Sequence, residues 1–201
     1  MELDARDELA SCREQFVIAD PDLLYMDGNS LGRLPKAVVE RARHIVEGEW
    51  GCDLVRAWNK GWWEAPVRTG EKIARLVGAA QGQVIVCDTT SVNMYKLVMA
   101  GLALHPKRRR IITDTMNFPS DLYILQGCIQ SLGNQHELIR IGSMDGELTP
   151  DLAGLESAIN EDTALVSLSH VLFKSGYLYD MQKITEMAHR KGALVLWDLS
   201  H

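Results

Sequence analysis

The chain has 201 residues, 46% of them hydrophobic and 24% charged, with a formal net charge of −6. That length suits one large domain or a domain and a half of an ordinary globular protein. The acidic balance excludes an electrostatic case for nucleic acid or an anionic membrane as partner, and the longest apolar run, 97–104, is too short to span a bilayer.

The acidic amino terminus lacks the basic and apolar regions of a signal peptide, so a reducing cytoplasm is the expected compartment. Cys12, Cys52, Cys87 and Cys128 form no C-x-x-C pair, which argues against a zinc site or a redox dithiol. Reduced, buried thiols are expected for several of them. Residues 4–17 carry Leu9, Cys12, Phe16 and Val17 at roughly helical spacing and predict an amphipathic opening helix. Leu23, Leu24, Tyr25 and Met26 read as a short strand, and 27–32 as a turn. Pro35 suits the first turn of a helix reaching about residue 47. Trp50, Trp58, Trp62 and Trp63 then crowd a stretch that reads as irregular, where packing is the ordinary role of an indole. A helix over 64–77 closes at Gly78.

Beyond this point the pattern alternates. Strands are predicted at 84–87, 110–113, 137–141, 163–168 and 193–197, with helices at 91–104, 119–131, 151–159 and 180–191 between them. Such β-α repeats imply a parallel sheet covered by helices on both faces. The basic run 107–110 falls between a helix and a strand and reads as a solvated turn. The expected organisation is a helical amino-terminal arm, 1–75, feeding an α/β domain, 76–201.

Four strand ends offer chemistry, because ligands of open α/β sheets bind outside the carboxyl ends of strands. Thr90 and Ser91 open a helix, whose free N–H groups and dipole form a phosphate site when they are not merely capped. Phe118 precedes Pro119, Ser120 and Asp121 at another helix start; its ring either fills the core or stacks on a planar ligand. Ser169 and His170 follow a third strand. Asp198 and His201 follow the last, where a carboxylate raises the pKa of a heterocyclic nitrogen beside it. No glycine-rich dinucleotide or triphosphate motif occurs, which disfavours a plain Rossmann-type nucleotide binder. A phosphate cradle, a stacking ring and a ring-nitrogen acid together are what pyridoxal phosphate asks for.

The order Thr90-Ser91, Phe118-Pro119-Ser120-Asp121 and Asp198-Leu199-Ser200-His201 resembles the fold type I pyridoxal-phosphate enzymes. With Asp27-Gly28-Asn29-Ser30-Leu31-Gly32 and the tryptophan-rich segment, the chain is more narrowly similar to the kynureninase family, over about the first half of such an enzyme. The resemblance implies a fold type I PLP-transferase-like α/β architecture, truncated before it is complete, and pyridoxal 5′-phosphate as cofactor. It implies that Thr90 and Ser91 bind the cofactor phosphate. Phe118 would stack on the ring, with Pro119, Ser120 and Asp121 beside it. Ser169 would add a polar contact, Asp198 would pair with the ring nitrogen, and His201 would reach its polar edge. Asn29, Ser30 and Trp62 would lie toward the substrate. The implied reaction is hydrolytic Cβ–Cγ cleavage of L-kynurenine or 3-hydroxykynurenine to anthranilate or 3-hydroxyanthranilate and L-alanine. A homodimer acting on a small amino-acid substrate, without nucleic acid or membrane, is implied too.

The family's Schiff-base lysine is expected beyond His201, and Lys174 and Lys191 do not match its place, so the 201 residues alone are expected to be inactive. The rival expectations are another fold type I enzyme, such as a cysteine desulfurase or aminotransferase, and a non-catalytic truncated homologue.

Overall fold

A computed structural model describes residues 6–201, which form two compact units, Met1–Cys87 and Asp88–His201. The second unit is organised by a four-stranded sheet. Its strands are β1 (Arg110–Asp114), β2 (Glu137–Ile141), β3 (Thr163–Ser169) and β4 (Leu194–Asp198). They lie in the order β2-β1-β3-β4, every pair parallel. Between them run the helices α3 (Thr90–Leu104), α4 (Pro119–Ser131), α5 (Leu152–Ala158) and α6 (Met181–Arg190).

Strand alternation sorts the apolar residues onto two faces. Leu138, Ile111, Leu165 and Leu194 are in register across the sheet and pack with Met94, Val98, Leu125 and Cys128 of α3 and α4. Their neighbours Ile139, Ile112, Val166 and Val195 point the other way, onto Leu155, Ile184 and Met187 of α5 and α6. Helices therefore cover both faces, as predicted. β3 is central and buried at all seven positions, Thr163, Ser167 and Ser169 included, as befits a strand covered on both faces. Gly101 is buried where α3 lies on the sheet, and a Cβ there would meet Leu194 Cδ1 at an ordinary contact distance of 3.5 Å.

The first unit is built differently. A 3₁₀ helix, Ala10–Gln15, replaces the predicted opening α-helix over the described part of 4–17. Its apolar residues have no sheet to lie on, and none of the helix is buried. Residues 23–26 are not a strand, since no neighbouring strand takes their backbone hydrogen bonds. α1 (Lys36–His44) starts after Pro35 and runs on as a π-helix, Ile45–Asp53, and a 3₁₀ helix, Leu54–Lys60. The tryptophan-rich stretch is thus helical where it was read as irregular. α2 (Ala65–Val77) ends on Gly78 at φ 70°, a left-handed cap that glycine adopts without strain.

Residues 84–87 also fail to form their predicted strand. They run extended past α2 so closely that a Cβ on Gly70 would sit 2.1 Å from the Val84 carbonyl oxygen. The thiols differ from expectation as well: only Cys128 is buried, while Cys52 and Cys87 are exposed. Nor is the basic run merely solvated. Arg108 Nη1 donates to the Thr163 and Lys191 carbonyls at 2.7 and 2.9 Å, tying the start of β3 to the turn before β4.

Candidate functional site

The carboxyl ends of β1, β3 and β4 lie side by side, and alternation decides what each presents. On β4, Leu194, Leu196 and Asp198 share the face covered by α3 and α4. Asp198 therefore emerges toward the starts of those two helices. A cleft of about 210 Å³ opens there, lined by Thr90, Asn93, Asp121, Ser167, Trp197 and Asp198 over an apolar floor that includes Met94 and Leu196. Three of the predicted residues, from the starts of α3 and α4 and the end of β4, thus meet in one cavity.

Two of them are acids in contact with one another. Asp121, in the first turn of α4, is 1% exposed, and no donor reaches its Oδ2. Its carboxyl is pushed up to about 6, first by burial and then by the negative charge of Asp198, with Ser120 opposing the rise through a 3.3 Å hydrogen bond. Asp198 Oδ1 accepts from the Ser200 amide at 2.9 Å and the Ser200 hydroxyl at 2.5 Å, a local turn that orients the carboxylate. A buried carboxylate with an empty acceptor beside a half-buried one favours a cationic or strongly donating partner.

The mouth is set by helix α3. Thr89 is its N-cap, its Oγ1 accepting from the Val92 amide at 3.3 Å. Thr90 lines the cleft, and Ser91 follows it, half-buried but not among the lining residues. Asp88 takes a positive φ of 47° just before the helix and is ion-paired with Lys96.

Phe118 does not line this cleft. Its ring packs edge-on to Phe173 with centroids 5.0 Å apart, and against His201 at 5.2 Å. Pro119 occupies the first turn of α4, as its fixed φ favours. Ser169 is buried and donates to Asn117 Oδ1 at 2.7 Å, while Asn117 Nδ2 donates to Thr113 at 3.2 Å. This chain of side chains fastens the Phe118 loop to the end of β3. The Asn117 side chain was the missed member; its signal was its place just ahead of the Phe118–Asp121 segment. His170 sits by Trp197, rings 5.9 Å apart, and its carbonyl accepts from Tyr179.

A second buried pair escaped the sequence reading. Asp114, at the end of β1, is on the opposite face and accepts from the Tyr179 hydroxyl at 2.9 Å and the Met116 amide at 2.7 Å. Burial pushes the Asp114 carboxyl up, and burial together with that carboxylate pushes the Tyr179 hydroxyl up. No local pattern links residues 65 positions apart; only the packing of the 170–180 loop under β1 reveals them.

In the first unit, Asn29 and Ser30 lie in the exposed 27–32 turn, Ser30 donating to Asp27 Oδ1 at 2.8 Å. Trp62 donates its indole N–H to Glu49 at 2.5 Å, and Glu49 is also paired with Arg41 at 2.5 Å. Those two hydrogen bonds hold the Glu49 carboxyl below the usual carboxylate range. Among the described residues no cluster of metal-ligating side chains occurs, and no helix is long and apolar enough to cross a membrane.

Comparison with known proteins finds a match of residues 24–201 to the family described as aminotransferase class-V. The kynureninase of Pseudomonas fluorescens is 43% identical over 204 residues, covering 99% of this chain and 47% of the relative. The kynureninase of Burkholderia pseudomallei (strain 1106a) is 44% identical with the same coverage. The chain spans about half the length of the curated relatives it matches. Among solved structures, a C-DES mutant with glycine covalently linked to its PLP cofactor superposes at a TM-score of 0.76 and 20% identity, over 94% of this chain and 49% of that one. The cysteine desulfurase CsdA from Escherichia coli gives 0.72 and 20%, over 96% and 48%. At those identities the likeness is one of fold.

Proposed function

The chain belongs to the class-V aminotransferase family, whose cofactor is pyridoxal phosphate, and from that premise we propose that it is the amino-terminal half of a kynureninase-type hydrolase. In this reading 1–75 is a helical arm and 76–201 the first part of the cofactor-binding domain. The observation that carries the proposal is the Asp121–Asp198 pair in the cleft beside Thr90. The two carboxylates side by side fit a ring N–H⁺ at Asp198 with Asp121 behind it, and the start of α3 fits a phosphate at the cleft's mouth. The 43–44% identity to the two kynureninases chooses the reaction among those the fold supports.

When bound, pyridoxal phosphate supplies a protonated pyridine that absorbs the electron pair left on a substrate carbon. The chain's own residues hold that ring and keep its nitrogen charged. Asp198 would accept from the N–H⁺, and Asp121 behind it would add a second negative charge that raises the ring's affinity for the proton. Thr90 and Ser91 bring hydroxyls to the phosphate, while the dipole of α3 opposes its charge. Phe118, with Pro119 and Ser120 fixing its approach, would turn from Phe173 and His201 to cover the ring, and His201 would take the polar edge. Ser169, held by Asn117, anchors that loop. Asn29, Ser30 and Trp62 are assigned to the amino-acid substrate, L-kynurenine or 3-hydroxykynurenine.

No lysine lines the cleft; Lys174 is paired with Glu147 and Lys191 with Glu161. The 201 residues are therefore proposed to need the remainder of the relatives' length for turnover. The same reading carries a homodimer and a cytoplasmic place in tryptophan breakdown. The test is a full-length protein mixed with L-kynurenine and followed by anthranilate fluorescence, with Asp198→Asn beside it. Anthranilate release, cut by about a hundredfold or more in the variant, is expected. Sulfide release from cysteine in place of anthranilate, or an Asp198→Asn protein of unchanged rate, would overturn the proposal.

A further inference from the structure

The second unit has another cavity, on the outer side of α4, that shares no lining residue with the cleft at Asp198. It measures about 250 Å³ and is formed by α4, by the end of β2 and by the loop after β3. Its position follows from the same alternation. Arg140 lies on the β2 face that carries Leu138, the face under α4, so its side chain reaches the helix's outward side.

The lining is of two kinds. Leu122, Pro119 and the Phe173 ring give an apolar wall. The lining also carries polar side chains that have no partner among the described residues. Among the described residues Arg140 makes no ion pair or hydrogen bond, and neither the Gln126 amide nor the Tyr123 hydroxyl has a partner. The cavity's other cation, Lys174, is already matched by Glu147 at 2.7 Å, so the uncompensated charge belongs to Arg140. A guanidinium offers a planar fork of donors suited to a carboxylate, and a flat apolar wall suits a ring. Few convergent polar groups on an apolar lining are the ordinary make-up of a small-molecule site.

The geometry points to a binding site for a small aromatic carboxylate, with its acid on Arg140, Gln126 and Tyr123 and its ring between Leu122 and Phe173. The site stands on this cavity alone and does not need the reaction proposed above. Arg140 is exposed on an edge strand and Tyr123 is 70% exposed, so neither substitution opens the core.

Anthranilate, a fluorescent single-ring acid, is the probe, with anthranilamide as its uncharged counterpart. Equilibrium dialysis against the full chain near neutral pH is expected to show saturable binding of one molecule, with a Kd of order 0.1–1 mM. Anthranilamide binds about tenfold more weakly, and Arg140→Gln weakens anthranilate by about tenfold as well. Tyr123→Ala weakens it about threefold, from the loss of one neutral hydrogen bond and part of a wall. Asp198→Asn leaves it unchanged. Binding that survives both Arg140→Gln and Tyr123→Ala, or that is lost in Asp198→Asn, would assign the acid to another site and overturn the inference. So would equal affinity for the amide, or no saturation by about 10 mM, a weakness beyond what ten heavy atoms in a fitted site should show.

Discussion

The two units of this chain use similar apolar residues to opposite effect. In Asp88–His201 the apolar side chains of four strands and four helices close on each other, and Ile111, Ile112, Val166, Leu125 and Val98 have no exposed surface. Among the described residues of Met1–Cys87 the buried apolar ones are Ala57 and Ala74, while Leu24, Met26, Trp63 and Leu76 stand 86%, 90%, 74% and 86% exposed. The difference is not one of hydrophobicity. A helix satisfies its own backbone, so α1 and α2 form wherever capping and spacing allow. A strand needs a neighbour, and residues 23–26 and 84–87 have none. The same distinction places the candidate site: the cleft lies where sheet register holds strand ends at fixed spacing.

The contrast is broken most directly by cutting each unit at a leucine. Leu125→Ala removes a fully buried side chain between α3, α4 and the sheet and is expected to cost about 2–5 kcal/mol in urea unfolding. Leu76→Ala should stay within about 0.5 kcal/mol of the parent. Equal losses would mean that the first unit's apolar surface is covered in solution.

The next effect sharpens the contrast at the cleft. Asp121 moves from an ordinary 3.8 to about 6 on folding, so between those values the folded protein holds a proton that the unfolded chain has released. Stability then falls as pH rises through that window. The contribution is full below about 4 and lost above about 6, to a limit of about 3 kcal/mol. Asp114 is shifted the same way by burial, whereas the half-buried Glu49 and the exposed Asp145 and Glu161 are shifted oppositely. The difference between parent and Asp121→Asn isolates the cleft: chemical unfolding from pH 4 to 7 should show the parent losing stability relative to the variant. A parallel pair of curves would mean that Asp121 titrates normally.

The smallest effect probes the close approach at Gly70 in the first unit. Gly70→Ala gains about 1 kcal/mol of helix propensity but forces a carbon into the Val84 carbonyl. A net loss of about 2 kcal/mol is expected, with faster amide exchange at the few residues beside 84. A stabilised variant would show that this segment is free to move away from α2.

Most of the second unit could be read in advance. Each of its strands and helices stands within two residues of its predicted place, because period, capping by Thr89, Asp151 and Asp180, and the turn at Gly192 all act locally. Thr90, Asp121 and Asp198 could be nominated from their positions after strands. That these three, and not Phe118 or His201, line one cavity could not be read, because it follows from which face each strand end turns toward. The Asp114–Tyr179 and Asn117–Ser169 bonds were hidden for the same reason.

By itself the sequence determined the succession of helices and strands in the second unit and the residues at their ends, since these depend on interactions within a few positions of each residue. Tertiary structure alone decided which apolar runs became strands, which acids met and which arginine was left unpaired. Hydrogen bonding between strands, burial and charge proximity join residues tens of positions apart, and no local pattern encodes which of them will meet.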